Sequence, residues 1–114
     1  MKSYRCTLKF ADAAKTQVVA PYDTDLEQGK FFNGDDITFT SADGKWRVIF
    51  IESPFSDTGD PLIINGGVND ERRFFFNIRG DERKFPFRCL IDKDGQPVGW
   101  DSAGNDPNVK STRP

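Results

Sequence analysis

The chain has 114 residues, of which 36% are hydrophobic and 30% charged, and its formal net charge is −2. These values are typical of one globular domain, and they lack the basic excess that binding to a nucleic-acid backbone requires. Histidine is absent, which excludes Ser-His-Asp and Cys-His catalysis as well as histidine-based zinc or copper sites.

The hydropathy of the chain and its two cysteines bear on its location and redox state. No run approaches the roughly eighteen apolar residues of a membrane span, and the start, MKSYRCTLKF, is a strand pattern without the apolar region of an export signal. We therefore expect no membrane partner and a cytoplasmic protein, or a periplasmic or secreted one if a signal was removed before this numbering. The two cysteines, Cys6 and Cys89, could form a disulfide or remain free thiols.

The first half of the chain predicts four short strands. In the first and third, apolar side chains alternate with polar ones at period two, which is typical of half-buried strands; the fourth is apolar on nearly both faces, which indicates a central or covered strand. The predicted strands cover 4–10, 17–20, 37–40 and 45–52. A short helix over 26–28, with Asp25 as its cap, is a weaker expectation from the polar segment between them.

The second half continues the pattern with strands at 61–65 and 72–78, followed by the stretch KFPFRCLIDKDGQPVGW at 84–100. In that stretch Phe85, Phe87, Cys89 and Ile91 share one face, and the run Asp92 to Gly95 supplies a turn before the chain extends again. Residues 101–114 are small and polar and are expected to form a tail.

Seven or eight short strands with turn signals every eight to twelve residues predict an all-β, antiparallel two-sheet sandwich. The whole of it fits one domain, residues 1–100. An immunoglobulin-like sandwich is the alternative, but the chain lacks the Cys–Trp–Cys spacing of that fold.

Two motifs resemble the cupredoxin family, the plastocyanin and azurin type of Greek-key sandwich. The run GDDITF at 34–39 is similar to the family's entry into a core strand, and WRVIF at 46–50 to the apolar strand that follows its first histidine ligand. The run FPFRC at 85–89 is similar to the approach to the copper-binding cysteine. The resemblance covers roughly residues 34–100 and implies a cupredoxin-like Greek-key fold.

The copper ligands of that family are not retained. Trp46 stands at the first histidine position, Asp92 at the second, and the run 96–98 at the methionine position, so only Cys89 matches. A type 1 copper site needs two imidazoles and a thiolate, and an indole offers only an N–H donor. We therefore expect no metal and no other cofactor.

The resemblance leads to a functional hypothesis of a non-catalytic binding module, with an unknown protein or small ligand as its partner. Its candidate surface lies at the end where the copper would be, although the two indoles could instead simply plug that space. The alternative is a redox or metal-binding protein that uses Cys89 with Asp92. No catalytic carboxylate pair is recognisable, so an enzyme is not expected. The candidate surface residues are Trp46, Phe55, Cys89, Asp92 and Trp100.

Two further patterns have ordinary structural explanations. The sequence D-x-D-G at 92–95 lacks the remaining ligands of a calcium loop. The basic residues between Arg72 and Arg88 alternate with acidic ones, which is typical of solvated strand faces and protected sheet edges. A patch for an anionic partner is the functional alternative for this basic segment.

Overall fold

The computed structural model describes residues 2–20, 31–56, 58–77, 84–100 and 108–110, the side chains of 84, 86, 100 and 108–110 excepted. Within these ranges the chain is all-β, as predicted; the short helix expected at 26–28 lies outside them. The strands are β1 Ser3–Phe10, β2 Val18–Val19, β3 Asp36–Ser41, β4 Trp46–Phe50, β5 Leu62–Gly66, β6 Glu71–Phe75, β7 Lys84–Lys93, β8 Gln96–Trp100 and β9 Asn108–Lys110.

The strands form two sheets in a sandwich-like arrangement. The first sheet has the order β2-β1-β3-β6, and the second has the order β5-β4-β7-β8 with β9 also paired to β7. Only β1 and β3 run parallel among the described strand pairs; the others are antiparallel. Strand β9 lies in the segment that the sequence assigns to the polar tail, where it pairs with Lys84–Pro86.

The core lies between the sheets and is built from the predicted alternating positions. Cys6, Leu8, Val48, Phe50 and Ile91 are fully buried. Phenylalanine rings join the layers: Phe39 of the first sheet contacts Phe50 and Phe87 of the second, with ring centroids 6.1 and 6.2 Å apart. Burying aromatic side chains of this size supplies much of the stabilisation of a small domain.

The two aspartates of the GDDITF motif attach the first strand to the third. Asp35 accepts hydrogen bonds from the backbone N–H groups of Lys2 and Phe32, at 3.0 and 2.9 Å. Asp36 accepts from the Ser3 hydroxyl at 2.9 Å and from the Arg73 guanidinium at 3.0 Å. The hydrogen bond from Arg73 is the main reason that the pKa of Asp36 lies below its usual value.

The β7–β8 hairpin closes through a two-residue turn. Lys93 pairs with Gln96, and the turn residues Asp94 and Gly95 both have positive φ, at 51° and 84°. Asp-Gly is favoured in this hairpin geometry because both positions need left-handed backbone. None of the described residues forms a helix long and apolar enough to cross a membrane.

Candidate functional site

Trp46 closes one end of the second sheet. It is the first residue of β4, pairs with Gly66 of the edge strand β5, and is only 3% exposed. Its indole lies directly over Gly66: a methyl group at that position would overlap the Cε2, Cζ2 and Nε1 atoms. The missing side chain of Gly66 is therefore what allows the indole to lie flat against the end of β5.

The indole N–H of Trp46 is buried without a hydrogen-bond partner, the one such side-chain atom found among the described residues. A buried donor that lacks an acceptor costs roughly 1–3 kcal/mol relative to a satisfied one. Native structures contain few such groups, and each requires an explanation.

A groove lies beside this indole. It is bounded by the start of β4, by the end of β5 with the glycines that follow it, and by the β7–β8 hairpin, and its volume is ≈ 740 Å³. Volumes of this size are in the range of small-molecule sites. Trp46, Leu90 and Pro97 supply apolar surface to its lining.

The charged part of the lining is mainly cationic. The described lining contains three basic side chains and one acidic one: Lys45, Arg47 and Arg72, and Asp92. This local positive charge contrasts with the net charge of −2 on the whole chain. A concave site with one sign of charge attracts ions of the opposite sign.

Arg47 is held in place but keeps most of its donors. Its Nε donates a 2.7 Å hydrogen bond to Oδ1 of Asn65, and its terminal nitrogens make none with the rest of the described chain. Arg72 is partly neutralised by Asp70, at 3.3 Å. The ammonium group of Lys45 has no ion pair or hydrogen bond within the described ranges. The guanidinium of Arg47 is thus the best-positioned cation of the groove.

Of the predicted site residues, Trp46 and Asp92 lie together at this end. The backbone N–H of Asp92 donates to the carbonyl of Lys45 at 2.8 Å, which ties the start of β4 to the end of β7. The Asp92 carboxylate accepts a 3.3 Å hydrogen bond from the Gly95 N–H. Both residues contribute to the lining of the groove.

Cys89 lies near Trp46 but inside the core. Cys89 pairs with Val48, and Trp46 pairs with Ile91, so the two side chains are on the same inner face of neighbouring strands. Diagonal neighbours of this kind are about 7–8 Å apart. Cys89 is fully buried and does not reach the groove. Trp100 pairs with Cys89 through its backbone, and its side chain lies outside the described part.

Phe55 is placed at the other end of the sandwich. Its ring contacts Phe50, the last residue of β4, at 5.3 Å, and Phe76 at 5.2 Å. Because β4 rises by about 3.3 Å per residue, Phe50 is roughly 13 Å along the strand from Trp46. The structure therefore does not bring Phe55 to the groove; it is a core residue, 5% exposed.

The thiols and carboxylates present do not fit a copper site. Cys89 points into the core, whereas Asp92 is exposed on the alternate side of β7, and an unpaired indole N–H cannot ligate a metal. The described residues contain no group of three or more His, Cys, Asp or Glu side chains that could hold a metal ion. Cys6 and Cys89 are not joined in a disulfide, and burial raises the pKa of Cys6 to about 12.

Among the polar residues of the groove, Lys45, Arg47 and Asn65 were not predicted from the sequence as site residues. Arg47 alternates with Trp46 along β4, so its outward position was predictable, but its neighbour Asn65 follows only from the pairing of β4 with β5. The basic segment between Arg72 and Arg88 does not form one patch in its described part. Arg73 binds Asp36, and Arg72 alone of the described arginines in that segment lines the groove.

Comparisons of the chain with protein-family models, with curated proteins and with solved structures find no match. The site therefore has to be interpreted from its own geometry.

Proposed function

We propose that this protein is a non-catalytic binding module with a cupredoxin-like Greek-key topology and without type 1 copper, and that its ligand binds in the groove beside Trp46. The cupredoxin likeness is supported by the position of Trp46 and Cys89 on neighbouring strands with both side chains on the inner face. Trp46 then takes the place of a metal ligand and closes that end of the core.

The observation that carries the binding function is the combination of shape and unsatisfied polar groups in the groove. A groove of ≈ 740 Å³ with part of its lining apolar contains the guanidinium of Arg47, which is oriented by Asn65 and whose terminal nitrogens have no partner among the described residues. Polar groups that converge on an apolar pocket are typical of ligand sites. The alternative function, redox or metal chemistry by Cys89 with Asp92, receives no support, because these two side chains lie on different sides of β7.

The test is a titration of the ¹⁵N-labelled protein with three small aromatic probes of different charge: benzoate, benzamide and benzylamine. We expect at least one probe to shift the backbone amide resonances of Lys45, Gly66, Gly67 and Gly95, which line the groove. The amides of Phe55 and Ser56, at the opposite end, should stay unchanged and act as the internal control. If no probe shifts the groove amides at tens of millimolar, the proposed site is wrong.

A further inference from the structure

The groove also indicates the chemical class of its ligand. Resting on the binding function proposed above, we infer that the groove recognises a small organic anion, namely a carboxylate attached to an apolar body. Three features of the lining support this: the cations, the state of the one described carboxylate and the apolar wall.

Arg47 provides the principal anion-binding group. The hydrogen bond from its Nε to Asn65 orients the guanidinium, while the terminal nitrogens keep their N–H donors free of described partners. An oriented guanidinium can bind a carboxylate through two parallel hydrogen bonds, and such charge-assisted pairs are stronger than neutral ones. Because Asn65 already restrains the side chain, little additional entropy is lost when the anion binds.

The one described carboxylate of the lining is partly occupied. Asp92 already accepts the hydrogen bond from Gly95 that closes the hairpin turn. A cationic ligand would therefore meet Lys45, Arg47 and Arg72 and gain only this shared acceptor. Like charges brought together in this way disfavour binding.

The apolar wall distinguishes an organic anion from a bare one. Leu90 is half-buried and Pro97 is exposed at the surface of the hairpin, and both line the groove beside the indole. Inorganic phosphate would leave this surface uncovered, whereas each buried methylene or ring carbon of an organic acid adds about 25 cal/mol per Å² of apolar area removed from water. The site therefore suits a carboxylate with an aromatic or aliphatic body.

The experiment compares benzoate with benzamide, which has the same shape without the charge, and with inorganic phosphate. Dissociation constants are measured from the shifts of the Gly66 and Gly67 amides, which line the groove. We expect benzoate to bind at least tenfold more tightly than benzamide and than phosphate.

Two variants and one control locate the recognition. R47Q should weaken benzoate binding about tenfold, since it removes the charge-assisted pair. D92N should strengthen it two- to fivefold by removing the opposing charge. The control K9Q removes the same charge as R47Q from an exposed position on β1, in the other sheet, and should leave binding unchanged. Undisturbed amide spectra outside the groove show that each variant is folded.

The outcomes separate the two proposals. Equal binding of benzoate and benzamide, with shifts confined to the groove, would leave the binding function standing and overturn the anion preference. Phosphate binding as tight as that of benzoate would overturn the organic part of the inference. Equal losses in R47Q and K9Q would mean that only net charge matters, which would overturn the assignment to Arg47. The absence of groove shifts with all probes would overturn both proposals.

Discussion

The contact between Trp46 and Gly66 can be tested with a single added methyl group. In Gly66→Ala the new Cβ would overlap three atoms of the indole. Non-bonded carbons prefer separations of about 3.5–4.0 Å, so the indole or the end of β5 must move by roughly 1 Å. Such overpacking costs about 1–3 kcal/mol, and we expect the free energy of unfolding to fall by that amount.

The matched control is Gly59→Ala. A Cβ at Gly59 has no neighbour within 4 Å, so this change should be neutral or should stabilise the protein by about 0.4–1 kcal/mol through the unfolded chain. Both variants are measured by urea denaturation. For an m-value of about 1–2 kcal/mol per M, the midpoint of Gly66→Ala should fall by roughly 1 M relative to wild type.

A double variant identifies the indole as the cause. Trp46→Leu removes the overlapping ring, so adding Gly66→Ala to it should cost far less than adding Gly66→Ala to the wild type. The difference between the two costs is a coupling energy, expected at about 1 kcal/mol or more. If Gly66→Ala were as harmless as Gly59→Ala, or if its cost were the same with Leu at 46, the indole would not lie over Gly66.

Experiments on Asp36, Cys6 and Phe55 test the rest of the structure. Asp36→Asn should lower stability by about 1–2 kcal/mol at pH 7, because it weakens charge-assisted bonds from Ser3 and Arg73. The pKa of Asp36 is lowered in the folded state, so its contribution to stability is present above the unfolded pKa of about 3.9 and is lost as the pH falls through the lower folded value. In unfolding experiments from pH 6 to pH 2, stability should therefore fall less steeply with decreasing pH in the variant than in the wild type. The same steepness in both proteins would contradict this role of Asp36. Cys6, with its pKa raised to about 12, should react with a thiol reagent at pH 8 only as fast as the protein opens, and fast labelling in native buffer would show that it is not buried. Phe55→Ala should cost about 3–5 kcal/mol in urea unfolding, whereas the milder Phe55→Leu should remain folded with its benzoate affinity unchanged; a loss of affinity would place Phe55 in the site after all.

Local patterns in the sequence were sufficient to predict most of the architecture. Alternation fixed the inner face of β7, and Asp-Gly at 94–95 identified the hairpin, because both signals depend on neighbouring residues alone. The all-β sandwich followed from the number of such strands. The pairing of Asn108–Lys110 with β7 had no comparable signal, since three residues are too few to show a period.

The composition of the site was less predictable because it depends on pairing between distant strands. Trp46, Cys89 and Asp92 were selected through a family resemblance, and the structure brings Trp46 and Asp92 to the groove while Cys89 faces the core. Phe55 was grouped with them as a large aromatic in a loop, yet its ring packs at the other end of β4. Asn65 became relevant only through the register of β5 on β4, which no local pattern encodes.

The order of pairing in the second sheet has a consequence for biosynthesis. Strand β4 finds β5 nearby along the chain, but its other neighbour, β7, begins only at Lys84. Until the ribosome has released that segment, β4 lacks its second neighbouring strand, and the β4–β5 pair alone is only marginally stable in water. We therefore expect the second sheet to form late during synthesis. Until it forms, Val48 and Phe50 are exposed and can be bound by chaperones.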